Sequence, residues 1–288
     1  MKNNKIAIVT AIVLAAICLT AWWGIAMGKD EIPAATSRTV GRHTQIPLGD
    51  LRLTVVYDNY PGVRGLKSEW GFSCLIEGAE KTILFDTGAD APVLLANMDS
   101  LAIRPEDIDI VILSHEHWDH TGGLGAFLER NPSVTVYVPR SFERAFKKRV
   151  IDSGAEIVEV GEPARICSSV YSTGELGGSI KEQSLMVCTD GGMIVMTGCA
   201  HPGIGLIVKK ARELIPDEVL LAMGGFHMAR AGEDEISDVV ASLREAGVLG
   251  AGPCHCSGDN ARRLFRAAYG DRYLDIGAGT ILTSADFE

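Results

Sequence analysis

VILSHEHWDHTGG, Val111 to Gly123, places His115, His117, Asp119 and His120 within six residues, directly after a β-branched run. Imidazoles and a carboxylate crowd together for one common physical reason, a shared divalent cation. Both are good ligands for zinc and similar ions, and a site with three protein donors keeps a coordination position open. Four donors at this spacing can also divide between two ions a few ångströms apart. Gly122 and Gly123 follow, and their missing side chains permit close approach to neighbouring strand ends.

Around this cluster the chain alternates short β-rich runs with longer amphipathic ones. LRLTVVYD (51–58), GFSCLIEG (71–78), KTILFDTG (81–88) and DIDIVILSH (107–115) read as strands. Later strands are expected in VTVYVPR (134–140), SLMVCTD (184–190), GMIVMTGCAH (192–201), VLLAMGGFH (219–227) and YLDIGAGTILT (273–283). Helical spacing runs through 90–103, with Asp90 as its cap, and through 141–154, 203–215, 234–247 and 258–270. Strands first in a meander and then mixed with helices predict an α/β (α+β) sandwich over residues 50–288. Asp86, His115, His201 and His227 each fall just past an apolar strand, and His255 lies in a Gly- and Pro-flanked loop. Strand-end loops are where a scaffold presents its functional groups.

The rest of the chain sets bounds. The composition, 47% hydrophobic and 22% charged, is that of a folded protein rather than a disordered one. A net charge of -10 with no basic stripe argues against a nucleic-acid partner, and the expected partner is a small-molecule substrate. Residues 6–28 carry no charge and are long enough for a bilayer span, so a membrane anchor is expected there, with the catalytic domain extracytoplasmic. The alternative is a signal peptide cleaved after Gly28. Residues 29–49, with Pro33, Gly41 and Pro47 and no apolar period, read as a linker. Seven cysteines form no dense disulfide framework in a chain of this length. No phosphate-binding loop, dinucleotide fingerprint or nucleophile elbow occurs.

SHEHWDHTGG resembles the HxHxDH signature of the metallo-β-lactamase fold, and ILFDTG is similar to the strand and Asp that precede it there. SEWGFSCLIEG, TGCAHPGI, GGFHM and CHCSG further resemble the subgroup named for a dihydropterin ribofuranosylaminobenzene phosphate synthase. The resemblance covers about residues 51–288 and implies a four-layer αββα sandwich with one or two divalent ions, zinc first, with manganese or iron as alternatives. It implies His115 and His117 on one ion, Asp119 and His120 on the other, His255 as the last His ligand, and Asp86 behind a ligand imidazole. Where the superfamily commonly has Gly-Asp, this chain has Gly198-Cys199. Either Cys199 replaces the bridging carboxylate or His201 supplies the donor, with His201 preferred. Cys254 and Cys256 read as small packing residues rather than ligands.

The chemistry so implied is hydrolysis of an ester, lactone, amide, thioester or phosphoester by a hydroxide generated on the metal. Asp119 is then expected to position the water and accept its proton, and His227 to stabilise charge on the attacked group. A pterin-type transferase and a non-catalytic, membrane-tethered metal-binding module are the alternatives.

Overall fold

The computed structural model describes residues 44–287, all within the larger of the two units into which the chain divides, Pro33–Glu288. The expected membrane span or signal at 6–28 lies outside these residues, as does most of the linker. Among the described residues no helix is long and apolar enough to cross a membrane.

Two mixed sheets face one another. The first begins with a meander, β1 (Arg52–Asp58), β2 (Phe72–Glu77) and β3 (Ile83–Phe85), and continues in parallel through β4 (Ile110–Ile112), β5 (Thr135–Pro139) and β6 (Glu156–Val160). The second comprises β7 (Ala164–Arg165), β8 (Val170–Ser172), β9 (Leu185–Thr189), β10 (Gly192–Thr197), β11 (Val219–Gly225) and β12 (Val248–Cys254). Its order is β12-β11-β10-β9-β8-β7, parallel across β10, β11 and β12 and antiparallel elsewhere. A short strand β13 (Ile281–Leu282) closes the first sheet beside β1.

Strand alternation explains the long apolar runs. In β10, Ile194 and Met196 join the cluster between the sheets, with Val55, Cys74, Phe85, Ile112 and Val187. Met193 and Val195 face the other way, into a second cluster with helices α5 (Ile204–Leu214), α6 (Glu233–Glu245) and α7 (Asp259–Tyr269). A strand buried on both faces has no polar alternation to show. The first sheet carries α1 (Ala91–Ser100), which contacts β1, then α2 (Trp118–Thr121), α3 (Leu124–Arg130) and α4 (Arg144–Asp152), which contacts β6. The Asp90 side chain accepts from Val93 N at 3.0 Å and caps α1, as the sequence predicts.

Three expectations need correction. Residues 44–49 are part of the folded domain rather than linker: Ile46 is buried and brackets β9 through bonds to Cys188 O and from Asp190 N. YLDIGAGTILT is strand only at Ile281–Leu282, because Gly277 turns against Tyr60 and Pro61, where a Cβ would lie 2.8 Å from either carbonyl oxygen. Conversely VLGAGPC, β12, is a strand that composition conceals. It is a sheet edge, which tolerates Pro253, and at Gly252 a Cβ would lie 2.4 Å from the Ile276 side chain.

The outcome that matters for function is geometric. β3, β4, β10, β11 and β12 all end at one rim of the sandwich, and Asp86, His115, Cys199, His227 and His255 follow within three residues of those ends. Carboxyl ends of parallel strands are the usual location of ligand sites in α/β sheets.

Candidate metal centre

Asp86 organises the site from below. It is fully buried and holds a left-handed backbone, φ 58°, right after β3. One carboxylate oxygen accepts from Ser114 N at 2.7 Å; the other accepts from Ser114 Oγ at 2.7 Å and faces His120 Nδ1 at 2.7 Å. Since Ser114 gives its hydroxyl proton to Asp86, its oxygen must accept from His115 Nδ1, 2.9 Å away. Both imidazoles therefore carry their proton on Nδ1 and aim a lone pair from Nε2. His255 is set the same way from another wall: its Nδ1 faces Asn59 Oδ1 at 2.9 Å, while Asn59 Nδ2 donates to the His255 carbonyl at 3.2 Å.

Those nitrogens converge on further ligand-type groups. His115 Nε2 lies 3.0 Å from His117 Nδ1 and 3.3 Å from His201 Nε2. His120 Nε2 lies 3.2 Å from Cys199 Sγ and 3.7 Å from Asp119 Oδ2. His255 Nε2 lies 3.3 Å from the same oxygen, yet it makes no hydrogen bond although fully enclosed. Two ligand sets result, His115–His117–His201 and Asp119–His120–Cys199–His255, each with its donor atoms within 4.8 Å of one another. Imidazole nitrogens, a carboxylate and a thiol sulfur gathered this closely, with the buried His255 Nε2 left without a hydrogen-bond partner, are a donor set that fits divalent metal.

Protonation agrees with that fit. Burial, reinforced by neighbouring imidazoles, holds His115 and His120 well below the ordinary histidine range, and His201 down at about 4. All three are neutral and ligand-ready at neutral pH. Burial would raise the Asp119 carboxyl, but the close approach of the His255 imidazole, followed by that of His120, outweighs it and keeps the group below its usual value. Trp70 Nε1 also donates to Asp119 Oδ2 at 2.9 Å.

Every site residue singled out from sequence reaches this rim, but with a different grouping for some. His201 joins His115 and His117, and Cys199 joins Asp119, His120 and His255, so the two are not alternatives for one position. His227 faces Cys256 and Cys199 instead, with its ring 4.4 Å from that of His201. Cys254 is core, whereas Cys256 lies at the site.

Sequence reasoning missed Ser114, Asn59, Trp70 and above all Glu182. Glu182 is fully buried and takes four backbone N–H groups, from Gly198, Cys199 and Ala200 on Oε1 at 3.1, 3.0 and 2.9 Å and from His201 on Oε2 at 2.8 Å. Burial pushes its carboxyl up to about 7 against the pull of those donors. It sits in the polar string KEQS, where nothing distinguishes it from a loop residue. Ser114, by contrast, had a signal in its position directly before His115.

Asp86→Asn replaces an acceptor facing His120 Nδ1 with an N–H donor and so favours the wrong tautomer. Metal affinity is expected to fall roughly 10- to 100-fold, the usual effect of losing a carboxylate behind a ligand histidine. Competition with a metallochromic chelator measures it; unchanged affinity would mean that Asp86 does not orient His120.

Residues 71–208 match the model of the Metallo-beta-lactamase superfamily, and the chain has the two mixed sheets and the clustered His and Asp donors of that fold. Among its relatives is the 7,8-dihydropterin-6-methyl-4-(beta-D-ribofuranosyl)-aminobenzene-5'-phosphate synthase of Methanocaldococcus jannaschii. The two are 29% identical over 81% of this chain and 96% of that one. A similar solved structure is that of Tm1679, described as a metal-dependent hydrolase of the beta-lactamase superfamily. It is 26% identical, with a TM-score of 0.67, over 81% of this chain and 98% of the other. YhfI from Bacillus subtilis shares the fold, with a TM-score of 0.61 at 15% identity.

Proposed function

We propose that the protein is a metal-dependent hydrolase that cleaves an ester, lactone, amide, thioester or phosphoester with one or two divalent ions, zinc first, held at the rim. The supporting observation is the orientation of the rings: Asp86, directly at His120 and through Ser114 at His115, and Asn59 at His255 engage Nδ1 and so turn three buried Nε2 atoms into the two ligand sets. His115, His117 and His201 would hold one ion, and Asp119, His120, Cys199 and His255 the other. Such ions supply Lewis-acid polarisation and an activated water at neutral pH.

This chain's own groups do the rest. Asp119, ionised and steadied by Trp70, orients the attacking water and accepts its proton. Beside His201 and His227 a cavity of about 420 Å³, walled by Ile204, Phe226, Met228 and Val239 with Glu235 and Asp238 at its polar side, offers a seat for the body of the substrate. The likeness to Tm1679 supports the hydrolytic reading.

The test is removal and return of metal. Chelated protein is expected to lose cleavage of a panel of aryl phosphodiesters, thioesters and lactones, and stoichiometric zinc, manganese or iron to restore it. Full activity without metal, or no cleavage of any class with the sites filled, would overturn the proposal. A second reading is favoured by one observation, the synthase relative that aligns over 96% of its length. In that case the metal-loaded protein would join a ribofuranosylaminobenzene phosphate to a dihydropterin diphosphate, releasing diphosphate, and chromatography of the product would show it.

A further inference from the structure

Cys256 and His227 belong to neither ligand set, and His227, expected from sequence to act on the attacked group, stands instead with Cys256 and Cys199. The Nε2 or Nδ1 of His227 and both thiol sulfurs lie within 4.8 Å of one another. Both thiols are buried and unpaired by disulfide, while His227 is exposed. Cys256 Sγ donates a long hydrogen bond, 3.7 Å, to the Cys199 carbonyl.

The backbone is built to bring these groups together. His227 and His255, neither of them glycine, hold left-handed backbones at φ 55° and 48°, and Cys256 follows directly on the second. Gly225 makes the meeting possible: a Cβ there would lie 2.7 Å from Cys256 Sγ, 3.2 Å from Cys199 Cα and 2.4 Å from the Gly198 carbonyl oxygen. Removing that one side chain lets the β11 end pass between the β10 and β12 loops.

We propose that Cys199, Cys256 and His227 form a third cation subsite, for a thiophilic filled-shell ion such as zinc or cadmium, contiguous with the second ligand set through Cys199. Two sulfurs and an imidazole are a soft donor set, unlike the histidines and carboxylate beside them. Three protein ligands leave a fourth position, which faces solvent on the His227 side and can take a water or an exogenous thiolate. A thiolate can bridge two cations, so Cys199 serves both pockets where the superfamily usually has a carboxylate. The rim then holds a graded series: an all-imidazole subsite, a mixed one, and a sulfur-rich one.

The experiment titrates the metal-depleted full chain with cadmium and follows the ultraviolet charge-transfer absorption of cadmium thiolates together with total bound metal. Wild type is expected to show about twice the charge-transfer absorption of Cys256→Ser, two thiolates against one. His227→Ala should keep the absorption but weaken the thiolate-dependent step by roughly tenfold or more. His117→Ala should lose bound cadmium and leave the charge transfer unchanged. Equal absorption in wild type and Cys256→Ser would overturn the proposal. X-ray absorption of zinc-loaded wild type needs no variant: two zinc–sulfur contacts per protein, or three where Cys199 bridges, support the subsite, and one or none overturns it. The outcomes separate from those for hydrolysis, since loss of the sulfur signal leaves the histidine sites standing, and a sulfur signal without turnover counts only against the hydrolase.

Discussion

Glu182→Ala is expected to cost on the order of 4 kcal/mol of folding stability and to scatter the loop that carries Cys199 and His201. The wild-type carboxylate is the acceptor for four consecutive N–H groups, Gly198 to His201. A buried donor left without a partner costs about 1–3 kcal/mol, and entering water recovers only part of that for four of them. The loss is then a large share of the roughly 5–15 kcal/mol that keeps a domain folded. Glu182→Gln should lie between: its carbonyl oxygen still accepts three donors, while its amide meets the His201 N–H donor to donor, for about 1–3 kcal/mol. Denaturant midpoints and bound metal measure both variants. An alanine variant within about 1 kcal/mol of wild type would show that the loop holds itself.

Gly198→Ala should do comparable damage by the opposite means. A Cβ at 198 would lie 2.1 Å from Ser114 Oγ, 2.7 Å from Ser114 Cβ and 2.9 Å from Asp86 Oδ2. None of these can yield cheaply, because Ser114 and Asp86 are fully buried and bonded to each other and to His115 and His120. Overpacking costs about 1–3 kcal/mol. Moving the Asp86–Ser114 pair is expected to lower metal affinity roughly 10- to 100-fold besides. Gly125→Ala is the control: it lies in α3 with nothing within 4 Å of the added carbon, and should stabilise by up to about 1 kcal/mol. Should Gly198→Ala bind metal and unfold like wild type, the tight approach of the β10 and β4 ends is not what sets the site.

Much of this was legible from residue order. Apolar runs with turn residues mark β1, β2, β9, β10 and β11, and helical spacing marks α1 and α4 to α7, because both signals are local. β12 was hidden by Gly250, Gly252 and Pro253, whose presence follows from close neighbours and a sheet edge rather than from strand propensity. The terminal run 273–283 misled in the other direction, since β-branched residues there pack as a loop across Tyr60 and Pro61.

By itself the sequence determined the kind of chemistry: His115, His117, Asp119 and His120 fall within six residues, and ligand type at short spacing survives whatever the remaining chain does. Only the tertiary structure decided how the donors divide. His201 reaches His115 across 86 positions and Cys199 reaches His120 across 79, so their grouping depends on which strands share a rim. The residues that hold the ligands in register were decided there too. Glu182 and Asn59 act through hydrogen bonds to backbone and ring atoms distant in the chain, and such bonds leave no periodic trace in the order of residues.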